Sequence, residues 1–532
     1  MRHVIFLIWL SVAMLIVTPI FLVERTDNAI AEPSSSIRIG LVGEIDPLNP
    51  NDSINQNTRT IIPHIFESLI TMDESMTPRP LLANSWETTP DGKGLIFHLR
   101  KGVRFHDGTP FNARAVKITF DRMMNEKLKV YSMFASFLKS VEILDESTVK
   151  MNLNGGPGPA LAVLPIRGQI ESPAAIEKYG KDIGFHPIGT GPYKFVEWVP
   201  DQRVVLEANK DYWGGSPKIS QVVFKPVSEE QTRLSMLEAE DLDVAMRPSY
   251  AEVKRLKSLP GIRIEDRISG ELLFVVFNCV KEPFNDKRVR QAISYGIDRK
   301  GIVNTLLFGG VRLAETYAAP IVKHIVKYDI YPYNPEKAKT ILAGSGWKLG
   351  KSGFLEKNEE IFKTAIVTPF GRYPMDRQIA EAIQAQLKKI GIDVKIIVVE
   401  SGAFIKTINS GREVKQSAEY GMMIISRPMG PDPDTAFTQH FHSASIPPKA
   451  PNSSIFGNKE LDSLLEEGAN TADEIKRGVI YKKAQNILNE EIPWLPIYSY
   501  VDYLALRKGV RGVGYPSTFA TLFVSKEAEL VP

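Results

Sequence analysis

A chain of 532 residues, 43% hydrophobic and 24% charged, has an ordinary globular composition and the length for several hydrophobic cores. Its formal net charge of +3 is small for this size and argues against a nucleic-acid-binding surface. The single cysteine, Cys279, excludes an internal disulfide.

In chain order, Arg2 and His3 precede an apolar run from Val4 to Val23, and Ala29-Ile30-Ala31 fits a small-x-small cleavage site. Residues 1–31 therefore read as a signal peptide, with Glu32 starting the mature chain. The run is longer than the usual ~7–15 residue signal core and approaches the ~20 residues of a membrane span, so an uncleaved anchor is the alternative. No cysteine near the cleavage point offers a lipid attachment site. Beyond the polar leader Pro33-Ser34-Ser35-Ser36, the alternation from Ile37 to Val42 predicts a first strand.

Between Pro80 and Asp121 several short elements follow closely. Asp91-Gly92 and Asp107-Gly108 are turn signals. Leu95, Phe97 and Leu99 share one face of a half-buried strand, and Asn112 is placed to cap a helix whose core side is Ala115, Val116, Thr119 and Phe120. Gly189-Thr190-Gly191-Pro192 reads as a tight turn. Val204 to Glu207 and Val222 to Lys225 predict strands. Glu229 to Glu240 predicts a helix with Leu234, Met236 and Leu237 near its core side. Cys279, in the apolar run from Leu272 to Val280, reads as a small core residue. Pro374 suits the first turn of a helix that buries Ile379, Ile383, Leu387 and Ile390 and ends at Gly391, followed by a buried strand from Val394 to Val399.

Chemistry-bearing motifs are few. There is no Gly-x-Ser-x-Gly elbow, P-loop or dinucleotide fingerprint, so the sequence offers no catalytic constellation and the chain is not read as an enzyme. His440-Phe441-His442 is a candidate metal pair: its imidazoles share a face if the segment is extended and point apart on a helix. No Cys-x-x-Cys or His-Glu-x-x-His accompanies it.

The segment Pro80 to Asp121 resembles, nearly residue for residue, the hallmark segment of periplasmic solute-binding proteins of the peptide/nickel class of ABC importers. Further matches follow in the family's order. They are Pro187-Ile188-Gly189-Thr190-Gly191-Pro192-Tyr193, Asn209-Lys210-Asp211-Tyr212-Trp213-Gly214, Phe277-Asn278 with Pro283 to Ala292, Tyr333 to Ala338, Gly346-Trp347, Asp432-Pro433 with Phe437, and Pro493 to Tyr498.

The resemblance implies an α/β fold: the two-lobed periplasmic binding protein architecture with an extra inserted domain and a two-strand hinge. The first lobe would take residues 32–71, 185–270 and 491–532, with the inserted domain at 72–184 and the second lobe at 271–490. Leu272 to Asn278 and Trp494 to Tyr500 would form the hinge. The implied protein is a monomer, secreted to the periplasm, that delivers a small solute to an inner-membrane ABC permease. It uses no cofactor and binds no nucleic acid. A membrane-anchored sensor or chaperone on the same scaffold is the alternative of another class.

The resemblance also implies where ligand contacts lie. The ligand-facing loop would be Ile425 to Pro433, with Arg427, Met429 and Asp432 as candidates. Peptide-binding relatives typically carry an aspartate where this chain has Met429, to pair the peptide's ammonium; Asp432 suits a helix cap better than a ligand contact. In the nickel-binding branch an aromatic is expected near Met133, an arginine at Gln169 and a tryptophan at Arg427, while Arg167 lies two residues from Gln169. An arginine fork suits a carboxylate-rich ligand, whether a small peptide or a metal–chelator complex carried as cargo. The sequence is compatible with both ligands.

Overall fold

The computed structural model describes residues 35–531 apart from 75, 321, 472 and 517–521. The signal-peptide reading lies outside the described residues. Among these, eleven strands form one sheet, and its continuity rests on two long strands, Ile262–Phe277 and Trp494–Arg507. They run antiparallel along each other, and their two ends serve different lobes. At the Leu504–Leu506 end the second strand pairs with Val244–Met246, which leads on to Ser36–Leu41, Gln221–Pro226, Arg203–Ala208 and Tyr193–Val199. At the Glu271–Phe277 end the first strand pairs with Met422–Pro428, followed by Lys363–Pro369 and Asp393–Val399. Between those ends the register slips, from Ile268 opposite Val501 to Leu272 opposite Ser499. Two crossing strands with an irregularity between the lobes form a hinge, where a few residues can absorb a large change in φ and ψ.

Each body has its own core. The first lobe buries Ile37, Ile39, Leu206, Phe224 and Leu504. The second buries Val275, Ile293, Ile366, Ile383 and Trp494. A third core belongs to a four-stranded sheet, ordered Ala83–Thr88, Gly94–Leu99, Thr148–Leu153 and Leu138–Asp145, which packs on the helix Ala113–Asn125. Its local signals are legible in sequence. Leu95, Phe97 and Leu99 are buried while His98 is exposed. Asn112 accepts from the Arg114 and Ala115 amides, and Ala115, Val116, Thr119 and Phe120 face inward. Gly92 and Gly108 hold φ of 70° and 83°, which a β-carbon would strain.

Tertiary context moved other elements. Met375, at φ 57°, caps the helix Asp376–Lys389, so Pro374 lies just outside the first turn. The Asp376 carboxylate fixes this start by accepting from the Arg372 and Tyr373 amides. Asp393–Val399 is the sheet's edge strand and only Val394 in it is buried, because nothing pairs with its outer side. Cys279 is half-buried, packed against the second lobe's core rather than within it. The helix expected from Glu229 spans Glu230–Glu238 with Glu229 as its cap. Leu234 and Leu237 are buried and Met236 is half-buried.

Candidate ligand cavity

A cavity of about 340 Å³ opens where the first lobe, the third body and the hinge meet; Arg59, Glu67, Arg167, Gln169, Tyr212 and Arg267 are among its lining residues. Its size lies at the lower end of the roughly 300–1,000 Å³ typical of small-molecule sites. Arg59 projects from the helix Gln56–Ile65, which starts at Asn55 through side-chain acceptance from the Asn57 and Thr58 amides. The far end of that helix is pinned by His64. The Val524 amide donates to its Nε2 at 2.9 Å while its Nδ1 lies 3.2 Å from the Ile61 carbonyl, so Nδ1 carries the proton. Burial lowers His64 to about 4, which keeps the ring neutral and the arrangement intact at neutral pH.

The Arg59 guanidinium is buried and donates to the Pro50 carbonyl at 3.0 Å, to the Ile166 carbonyl and to Gln169 Oε1 at 3.5 Å. Gln169 in turn donates to the Ile166 carbonyl at 3.1 Å. Arg167 closes the helix Gly158–Arg167, and its Nη1 is buried without a hydrogen-bond partner. Burial lowers the pKa of both arginines, and the Arg167 charge lowers Arg59 further. Two like charges share this wall. An anion entering the cavity would relieve both the repulsion and the unmet donor.

Glu67 is the nearby carboxylate, and it is already engaged. It accepts from Thr190 Oγ1 at 2.8 Å, Tyr212 Oη at 2.7 Å and Trp213 Nε1 at 2.8 Å. The turn at Pro187–Tyr193 and the aromatic turn at Asn209–Gly214 are thus fastened to one buried acid. Burial outweighs these donors and lifts Glu67 to about 7 from the ordinary 4.5. Between those values the native chain holds a proton that the unfolded chain has released. The stability from this site is therefore complete below pH 4.5 and is lost as pH rises through 7. Relative to Glu67→Gln, wild type should lose about 3 kcal/mol between pH 4.5 and 8, measured by urea denaturation at each pH. A difference that does not change with pH would mean that Glu67 titrates as an ordinary carboxylate.

Of the residues singled out in sequence, Arg167 and Gln169 line this cavity. Met133 sits 43% exposed on the short helix Tyr131–Ala135 and is not among the lining residues. Arg427, half-buried at the end of Met422–Pro428, reaches Ser453 Oγ at 3.5 Å and leaves its Nε buried without a partner. Met429 is fully buried in the second lobe's core. Asp432 caps the helix Pro433–Phe441 and holds Arg477 through both carboxylate oxygens, at 2.8 and 2.6 Å. His440 and His442 are not brought together on one ligand. His440 is buried against Trp494, with its Nδ1 at 2.9 Å from the Ala436 carbonyl. His442 accepts from the Ala444 amide through Nδ1 and meets Glu466 through Nε2. The segment's helical end turns the rings apart, and among the described residues no group of three His, Cys, Asp or Glu side chains could hold a metal ion. The sequence reading missed Arg59, Glu67 and Arg267. Arg59 carried a readable signal, a charge flanking the apolar run Ile61-Ile62 of an amphipathic helix.

The third body also touches the second lobe. A β-carbon on Gly156 would stand 2.5 Å from the Ala469 carbonyl oxygen, and one on Gly158 2.9 Å from the Arg477 guanidinium.

Comparison with known proteins fits this geometry. Residues 77–447 match the model described as bacterial extracellular solute-binding proteins, family 5 middle. The chain belongs to that family. The glutathione-binding protein GsiB of Salmonella choleraesuis is 30% identical over 462 residues, 85% of this chain and 86% of the relative. Among solved structures, HbpA2 from Haemophilus parasuis superposes with a TM-score of 0.82 at 26% identity, covering 94% of this chain and all of that one. NikZ from Campylobacter jejuni, in complex with Ni(L-His), gives 0.73 at 25% identity over 92% and 98%. The oligopeptide-binding protein AppA from Bacillus subtilis, in complex with a nonapeptide, gives 0.70 at 26% identity over 92% and 99%. These neighbours share the two-lobed periplasmic binding protein architecture. This family 5 protein is accordingly the solute-binding component of an ABC importer.

Proposed function

We propose that the chain captures a small peptide-like solute bearing a free carboxylate, encloses it between its lobes and presents it to an inner-membrane permease. The observation that carries this reading is Arg167 Nη1, a buried donor without a partner in a cavity that also holds Arg59. A planar guanidinium matches a carboxylate bidentately. The name of the GsiB relatives supports a ligand of this chemical class. Enclosure works by stabilisation: a solute that contacts both lobes favours the closed arrangement by its differential affinity for it. The hinge slip at Ile268–Leu272 and the close approach at Gly156 support that motion. The protein would act in the periplasm as a monomer, after loss of its leader.

A second reading, a metal–chelator complex as cargo, is favoured by the same two guanidiniums. They would hold the chelator's carboxylates, and NikA from Brucella suis in complex with Fe(III)-EDTA is a structural neighbour with TM-score 0.79 at 25% identity. The test is a thermal-shift series on solute-free protein. Glutathione and short peptides with free C-termini should raise Tm, while their C-terminal amides should not. Stabilisation by Ni(L-His) or Fe(III)-EDTA alone would replace the peptide reading with the second one.

A further inference from the structure

A second polar site lies at the hinge itself. The register slip leaves Ser269, Gly270 and Glu271 facing Tyr500 alone on the second hinge strand, and such bulges re-aim side chains. On its other side the strand stays paired, with Glu271 opposite Pro428 and the Met429 amide donating to the Gly270 carbonyl at 2.9 Å. The bulge is therefore held in place. Glu271 accepts one hydrogen bond, from Ser426 Oγ at 2.5 Å, and among the described residues it has no ion-pair partner within 4.0 Å.

Tyr500 stands opposite this bulge on the second hinge strand. Tyr498 and Tyr500 meet edge to face at 5.0 Å, and both hydroxyls are buried without a hydrogen-bond partner. Burial raises Tyr498, Tyr500 and Tyr250, and the Glu271 charge adds to the rise in each. Arg427 also feels the Glu271 charge but is one position off register and reaches Ser453. A half-buried carboxylate beside tyrosines with unmet hydroxyls is chemistry for a cation, which pairs with the charge and donates to the free oxygens.

We propose that Glu271, on the bulge opposite Tyr500 and its neighbour Tyr498, receives the ammonium group of the solute. This rests on the peptide-like reading above and assigns the ligand's other end. Met429 cannot serve, being apolar and sealed in the core. Arg267, which lines the arginine cavity, precedes Glu271 by four residues on the same strand, a separation of about 13 Å at most. The bulge thus lies one short stretch of strand from a lining residue of that cavity.

The test uses solute-free protein with glutathione and a set of dipeptides, each beside its N-acetylated form, titrated calorimetrically. Wild type should bind at least one free-amine member and lose tenfold or more on acetylation, roughly the worth of a charged hydrogen bond. Glu271→Gln should bind the free amine about tenfold more weakly and the acetylated form unchanged, so that discrimination collapses. Glu271→Asp, which keeps the charge, should retain part of it. Undiminished discrimination in both variants would overturn the assignment while leaving peptide capture in place. Wild type binding neither form of any peptide would overturn the peptide reading and this assignment together.

Discussion

Replacing Arg167 by methionine should weaken solute binding by about 3 kcal/mol, roughly a hundredfold, while leaving the unfolding temperature of the solute-free protein unchanged or slightly raised. The two halves of this expectation have one cause. Without solute, the Arg167 guanidinium is a buried charge with an unmet donor beside another arginine, so removing it costs the empty protein nothing and relieves repulsion. With solute, the same group meets a carboxylate in a site shielded from water, where a truncated partner is most costly. Methionine keeps much of the apolar stem's packing. Calorimetric titration of wild type and Arg167→Met, with thermal unfolding of each alone, separates the two effects. Affinities within about threefold would remove Arg167 from the binding site.

The largest stability effect should come from Asp432→Ala. Asp432 accepts from the Asp434 amide at the start of Pro433–Phe441, shares a capping box with Thr435, and pairs with the buried Arg477. Alanine loses a cap worth about 1 kcal/mol and strands Arg477, which is 4% exposed; breaking a buried pair in this way costs about 3–5 kcal/mol. Urea denaturation should show a total in that range or somewhat above. The double variant Asp432→Ala/Arg477→Met should recover a large part, because the uncompensated cation is then gone. A loss below 1 kcal/mol for the single variant would mean that the pair is not formed in solution. The family resemblance implies ligand contact for the loop before this helix. Its acid instead joins two helices of the second lobe, Pro433–Phe441 and Glu474–Glu491.

What the sequence disclosed and what it hid divide along a physical line. Short-range rules were sufficient for Asn112 as a cap, for the inward face of Ala115 to Phe120 and for the glycine turns, since each depends on neighbours within a few residues. The family and its two-lobed architecture were legible from ordered motifs such as Pro187–Tyr193 and Asn209–Gly214. The structure adds a reason for those motifs: Thr190, Tyr212 and Trp213 converge on Glu67. Long-range facts were not legible. That Asp393–Val399 is an edge strand depends on what fails to pair with it. That Glu271 sits on a bulge without an ion-pair partner among the described residues depends on a register slip between strands more than 200 residues apart in sequence. Arg59 and Arg167 come together only because two helices from different bodies meet at one cavity wall.

Native mass spectrometry of protein purified from its own cells without denaturation, with matched elemental analysis, tests solute capture most directly. The expected spectrum shows the chain plus a small organic mass with free amine and carboxylate, and no stoichiometric metal. A transition metal at one per chain with a small chelator would contradict the peptide-like reading and move attention to how Arg59 and Arg167 grip a chelate.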